Sequence, residues 1–163
     1  MLSLDILSSG GSQKVDIKET VADLKKSKIE RESIIQTLKE KYPIEDFIVF
    51  NEFNLKEKEE ILPFKLNEFQ EYFYKEDALL SGLIEKRDIL IAEKYDHYRF
   101  QEDKRLSPSE IKDYYLKKDP EIVAFNKNIT TQKTTVDYFA GCVKTLDKMF
   151  WLIKDYIKTV RGI

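Results

Sequence analysis

Phe139, Cys142, Leu146, Met149, Ile153, Tyr156 and Val160 recur at intervals of 3, 4, 3, 4, 3 and 4 residues. A strict a/d heptad over three repeats fits only a long α-helix that presents one seam to another helix. At about 100° per residue, Lys133, Lys144, Lys148, Lys154, Lys158 and Arg161 gather on the opposite arc, diluted by Asp137, Asp147 and Asp155. Residues 121–163 carry seven basic and four acidic side chains, net +3, in a chain of formal net charge -2. Tyr138, Val143, Phe150 and Ile157 widen the apolar arc beyond a two-helix seam. One face is therefore expected to meet an earlier helix and another to meet neighbouring subunits.

The prolines divide the rest of the chain, because each of Pro43, Pro63, Pro108 and Pro120 falls where a helix can begin or end. Residues 1–13, with Ser8-Ser9-Gly10-Gly11-Ser12, read as a flexible leader. From about Asp16 to Tyr42, Val21, Leu24, Ile35 and Leu38 form a 3/4-spaced stripe with Lys28 and Arg31 at its middle. Phe47-Ile48-Val49-Phe50 is a short apolar run that suits a strand or a buried connector, and periodicity does not choose between them. Between Pro63 and Pro108 the apolar spacing predicts a helix over about 64–102, with Gly82 as its one glycine. Ser107, Pro108 and Glu110 have the form of a capping box that opens a short helix ending near Lys118. Asp119-Pro120-Glu121 repeats that logic and opens the last helix. The expected fold is all-α, with long helices forming an elongated helical hairpin and a C-terminal coiled-coil-like oligomerisation helix.

Charged residues make up 36% of the chain, above the roughly 25% usual in globular domains, which suits long solvated helices. No apolar run reaches the roughly 18 residues a membrane span needs, and the N-terminus lacks the pattern of a secretory signal. The single Cys142 excludes an internal disulfide, so a cytoplasmic location is the default expectation. No glycine-rich phosphate loop is present, the only histidine, His97, has no second histidine with which to share a metal, and Cys142 sits on the heptad seam as a small core residue. Carboxylate pairs such as Glu59-Glu60 and Glu102-Asp103 lie in charge-rich polar stretches, where a raised pKa is not expected. No cofactor, metal site or catalytic residue is therefore expected, and the chain does not read as an enzyme.

Two stretches interleave cations with aromatic rings: Lys94 to Phe100 followed by Lys104-Arg105, and Lys112 to Lys118. Single-stranded nucleic acid is held by cations along its phosphates and by rings on which its bases stack. Aromatics at helical spacing also line cores, and composition alone favours that plainer reading.

From Leu106-Ser107-Pro108-Ser109-Glu110-Ile111-Lys112-Asp113-Tyr114-Tyr115-Leu116, through Asp119, Asp137-Tyr138-Phe139, Gly141 and Leu146, to Ile153-Lys154-Asp155-Tyr156-Ile157 and Gly162, the sequence resembles the phage UvsY family. Upstream, Tyr95-Asp96-His97-Tyr98 resembles the Asp-aromatic-aromatic end of that family's first long helix. The likeness runs from about residue 64 to 163, more loosely back to about 40, and residues 1–40 stand outside it as an extra segment. It implies a recombination mediator. Such a protein binds single-stranded DNA as a homo-oligomeric ring and loads a RecA-like recombinase onto strands covered by the single-strand-binding protein. The family contacts DNA through a basic pair whose second member falls on Lys94, while the first falls on Ala92. Lys86, Arg87 and Arg99 are the residues available to supply the lost charge. The expected DNA-binding set is Lys86, Arg87, Lys94, Tyr98, Arg99, Lys104 and Arg105, and the expected oligomerisation set is the heptad. The corresponding organisation is a leader over 1–13, an N-terminal helical extension and connector over 14–54, a DNA-binding helical region over 55–118 and an oligomerisation helix over 119–163. Without the resemblance, a coiled-coil scaffold or a protein-binding adaptor fits the same pattern, and neither predicts salt-dependent DNA affinity.

Overall fold

The computed structural model describes residues 17–100 and 106–161, with side chains over 25–100 and 106–160. The expected leader, Lys104, Arg105 and Gly162 lie outside the described residues, as do the side chains of Val21 and Leu24. Of the described residues 91% are helical and none lies in a strand, so the chain is all-α. In order come α1 (Ile17–Lys41), α2 (Glu45–Ile48), α3 (Leu55–Phe100), α4 (Pro108–Glu110), a π-helical turn (Ile111–Tyr115), α5 (Leu116–Lys118) and α6 (Pro120–Arg161). No helix among the described residues is long and apolar enough to cross a membrane.

The two long helices, α3 and α6, pack against each other. Phe69 meets Phe139 with ring centroids 6.1 Å apart, and Gln132 Nε2 donates to the Glu76 carbonyl at 2.9 Å and to Glu76 Oε2 at 2.7 Å. Further along, Lys94 reaches Glu121. Later residues of α3 thus meet earlier residues of α6, and the two helices run antiparallel. The larger core is built from Leu62 and Phe69 of α3 and Phe139, Cys142, Leu146, Ile153 and Ile157 of α6. Burying each of the large aliphatic or aromatic side chains stabilises the fold by roughly 1.5–3 kcal/mol before entropy is counted.

This changes the reading of the heptad. Phe139, Cys142, Leu146 and Ile153 are buried within one chain, so the seam expected between subunits is closed here by α3. Met149 is half-buried, and Tyr156 and Val160 are exposed. The physical reason is proximity: a helix already tethered through a short corner meets the seam at a far higher effective concentration than a second chain does. Burial pushes the Cys142 thiol above its ordinary pKa, although a hydrogen bond with Tyr138 opposes the shift, which suits a core residue and not a nucleophile.

A second correction concerns Pro63. The helix expected from about 64 starts at Leu55 and carries Pro63 inside it. A proline removes one backbone hydrogen bond and disfavours the preceding turn. Leu62 beside it is fully buried, Leu55 and Leu66 pack on the same core, and the Pro63 ring lies on the exposed side. Tertiary burial on both sides of the proline holds the helix through it. At the other end the described helix stops at Phe100, and residues 101–105 lie outside the description.

The N-terminal third joins the same core. Leu38, Tyr42, Ile44, Phe47, Ile48 and Phe50 pack on it, and Tyr138 Oη donates to the Tyr42 carbonyl at 2.8 Å. The apolar run left open between strand and connector begins in the last two residues of the single helical turn of α2 and continues as extended chain at Val49.

A smaller second core lies at the corner between α3 and α6. Ile111, Leu116 and Ile122 are buried there, with Leu90, Ile91, Tyr95, Tyr98 and Leu106 packed against them. Between Phe69 and the corner no apolar residue of α3 is fully buried. The π-helical turn sets the register of this corner. Ile111 and Leu116 are five residues apart, which in an α-helix leaves them about 140° out of line. The Leu116 amide donates to the Ile111 carbonyl, and this wider turn brings both side chains to the core.

Candidate nucleic-acid interface

The corner where α3 ends and α6 begins collects most of the residues marked by the sequence. Its first helical turn is fixed by the expected capping box: the Glu110 amide donates to Ser107 Oγ at 3.3 Å and the Ser107 amide donates to Glu110 Oε2 at 2.8 Å. The Ser107 amide, helped by the Ser107 hydroxyl and opposed by desolvation, holds the Glu110 carboxyl below its ordinary pKa.

Asp119 is the centre of the corner, although its side chain is only 2% exposed. Its Oδ1 caps α6 by accepting from the Glu121 and Ile122 amides at 2.9 and 3.2 Å. Its Oδ2 accepts from Tyr98 Oη at 2.9 Å and lies 3.4 Å from Lys94 Nζ. Lys94 Nζ also pairs with Glu121 Oε2 at 2.6 Å. Burial pushes the Asp119 carboxyl up, but the bonds from Tyr98, Ile122 and Glu121, with the Lys94 charge, outweigh it and leave the pKa below the ordinary value. The Glu121 hydrogen bond, opposed by desolvation and helped by Asp119, raises Lys94. Lys94 and Tyr98 are one helical turn apart, so α3 directs both at the start of α6.

The expected DNA-binding residues are thus distributed unevenly. Lys94 and Tyr98 are half-buried and engaged with Asp119, where they tie α3 to α6. Tyr98 also packs its ring on Tyr115 at 5.2 Å. Arg87 pairs with the neighbouring Asp88 at 2.7 Å. Lys86 and Arg99 are exposed, and Arg99 lies 5.3 Å from the Phe100 ring centroid. Lys104 and Arg105 fall outside the described residues.

Other side chains face outward at the same corner. Phe100 is 73% and Tyr114 51% exposed, and Lys118 Nζ sits 3.8 Å from the Tyr114 ring centroid. Lys112 is exposed and makes no ion pair among the described residues, while Lys117 pairs with Asp113 at 3.2 Å. Exposed rings beside cations offer stacking platforms for bases. Over the described part of 93–121, however, five basic side chains face six acidic ones, so this corner offers stacking without a positive field.

Sequence reasoning found the aromatic-basic segments but not the role of Asp119 in consuming two of their members. The nearest signal was its position before Pro120 at a helix start. Among the described residues no group of three or more His, Cys, Asp or Glu side chains could hold a metal ion, and no buried side-chain polar atom lacks a partner. Comparison with protein-family models, with curated proteins and with solved structures returned no match.

Proposed function

We propose that this chain is a recombination mediator of the kind its sequence resembles. On this reading it binds single-stranded DNA as a homo-oligomer in the cytoplasm of a host cell and helps load a RecA-like recombinase onto strands covered by single-strand-binding protein. It works by exchange of binding energy and not by catalysis. The observation that carries the reading is the Leu106–Leu116 segment: the stretch that resembles the family is a capped turn with Tyr114 and Lys112 outward, beside exposed Phe100 and Arg99. Base stacking on such rings contributes roughly 1–3 kcal/mol per base, and an oligomer multiplies a weak contact by effective concentration.

The antiparallel pair of α3 and α6 forms the elongated, coiled-coil-like hairpin of this proposal, and the surface left for assembly is the outer stripe of α6. Met149, Leu152, Tyr156 and Val160 follow one another at 3/4 spacing beside the closed seam, and Leu152, Tyr156 and Val160 are exposed. Met149 packs on the core and Tyr156 meets the Phe50 ring at 6.2 Å, so a ring or other closed oligomer over this stripe would chiefly cover Leu152 and Val160.

Fluorescence anisotropy with labelled single-stranded and duplex oligonucleotides across a salt series tests the function. Preferential binding of the single strand, weakening steeply with salt, is the expected result. Absence of binding at low salt by a folded oligomer favours a second reading, a non-enzymatic scaffold or protein-protein adaptor. That reading is supported by the engagement of Lys94 and Tyr98 with Asp119 and by exposed Leu79 and Ile89 on α3.

A further inference from the structure

The corner supplies aromatic faces without net positive charge, and the cations that phosphates require lie elsewhere. Between α1 and α6 runs a groove of about 610 Å³, lined by Lys26 and Arg31 of α1 and by Lys127 and Lys133 of α6, with Glu30 and Asp137. Four cations face two carboxylates, so the groove is net positive in a chain of formal net charge -2.

The two carboxylates hold their partners loosely. Lys127 lies 3.5 Å from Glu30 and Arg31 lies 3.6 Å from Asp137, longer than the 2.7–2.9 Å typical of close charge-assisted bonds. All four side chains are at least 45% exposed, so these pairs remain open to exchange with another anion. Lys26 and Lys133 make no ion pair among the described residues and are exposed.

The neutral lining has a definite donor pattern. Thr130 and Thr134 spend their hydroxyl hydrogens on the carbonyls four residues back, at 2.9 and 3.1 Å. Ser27 and Thr131 also line the groove and have no such bond among the described residues, so their hydroxyls can donate. No aromatic ring lines it, and Ile34 is its one large apolar side chain. A tightly held protein partner depends on buried apolar or aromatic anchors, which this groove does not provide. A chain of phosphates needs only cations and hydroxyl donors. Lys127 and Lys133 are six residues apart on one helix, about 9 Å along its axis, so the positive charge is spread along the groove.

We infer that the α1–α6 groove takes the phosphate backbone of single-stranded nucleic acid, with Lys26 and Lys133 as its free cations and Arg31 and Lys127 exchanging their carboxylates for phosphate. The inference rests on the DNA-binding reading above, and it gives the N-terminal helix that stands outside the family resemblance a part in binding. Contacts to phosphates alone carry no base preference.

The test compares the wild-type protein with Lys26→Glu/Lys133→Glu and with the neutral Lys26→Gln/Lys133→Gln, using labelled oligothymidylate and anisotropy across a salt series. Neither lysine makes an ion pair among the described residues, so circular dichroism should report the wild-type fold. Charge reversal is expected to weaken binding on the order of tenfold at low salt, and the neutral pair to flatten the salt slope by about 1.4, the change for two lost single-strand phosphate contacts. Wild-type binding with unchanged affinity and slope in both variants overturns the groove while leaving the mediator reading intact. No binding by the wild-type protein overturns both.

Discussion

Asp119 makes four contacts from a nearly buried carboxylate, and the substitution to Asn separates two of its duties. Asparagine still accepts hydrogen bonds from the α6 amides, since it caps helices about as well as aspartate. It loses the charge that faces Lys94 and is a weaker acceptor for Tyr98 Oη. Asp119→Asn is therefore expected to cost about 1–3 kcal/mol at neutral pH, read by urea denaturation. The sign of the pH effect follows from the lowered carboxyl pKa. A depressed folded-state value contributes stability above the unfolded value of about 3.9, and that stability is lost as pH falls through the folded value. The wild-type stability should thus fall on acidification below about pH 4 more steeply than that of Asp119→Asn. Parallel acid limbs in the two proteins would remove the carboxylate from this role. The sequence showed Asp119 as a helix opener, and it showed Lys94 and Tyr98 as a basic-aromatic pair. That these three meet was not legible, because positions 94 and 119 are joined only through a corner whose register depends on a π-helical turn.

At the scale of single elements, α3 and α6 each carry a glycine with no structural demand for one. A Cβ built at Gly82 or Gly141 meets no atom within 4 Å. Glycine inside a helix is less favourable than alanine by roughly 0.5–1 kcal/mol. Gly82→Ala with Gly141→Ala should accordingly raise stability by about 1–2 kcal/mol, seen as a higher urea midpoint with an unchanged slope. A lower midpoint would mean that another chain approaches one of these glycines. Helix existence was readable from apolar spacing and caps: α1, α6 and the short capped turn fall where the pattern predicts them. The start of α3 was not, because Pro63 is locally a breaker and only the burial of Leu62 against α6 overrides it. The heptad was visible as a seam, but periodicity specifies a partner surface without specifying whose it is.

For the molecule as a whole, the closed seam and the exposed stripe beside it predict different fates for neighbouring substitutions. Leu146→Asp places a charge at a fully buried site inside the chain and should unfold it. Leu152→Asp with Val160→Asp alters exposed positions and should preserve helicity while reducing the proposed oligomer to monomers in sedimentation velocity. A double variant that keeps its wild-type sedimentation coefficient would place the assembly surface elsewhere. Composition already pointed to solvated helices at this scale. The groove between α1 and α6 had no linear signal, since its lysines are about a hundred positions apart and mean nothing until two helices lie side by side.

The separation of the two cores along α3 and α6 has a mechanical consequence. Phe69 and Phe139 belong to one packed block and Ile111, Leu116 and Ile122 to another; between them α6 buries Thr134 and Val136, but α3 contributes no fully buried side chain and is held by half-buried ones and the Gln132–Glu76 bonds. Bending stiffness in a pair of helices comes from interlocked side chains, so compliance concentrates where interlocking is least. The chain is thus a lever with a firm base, a firm tip and a shaft that is less tightly locked on its α3 side. In an assembly clamped through the outer stripe of α6, the tip that presents Tyr114 and Phe100 can be displaced by load while the clamped base keeps its packing.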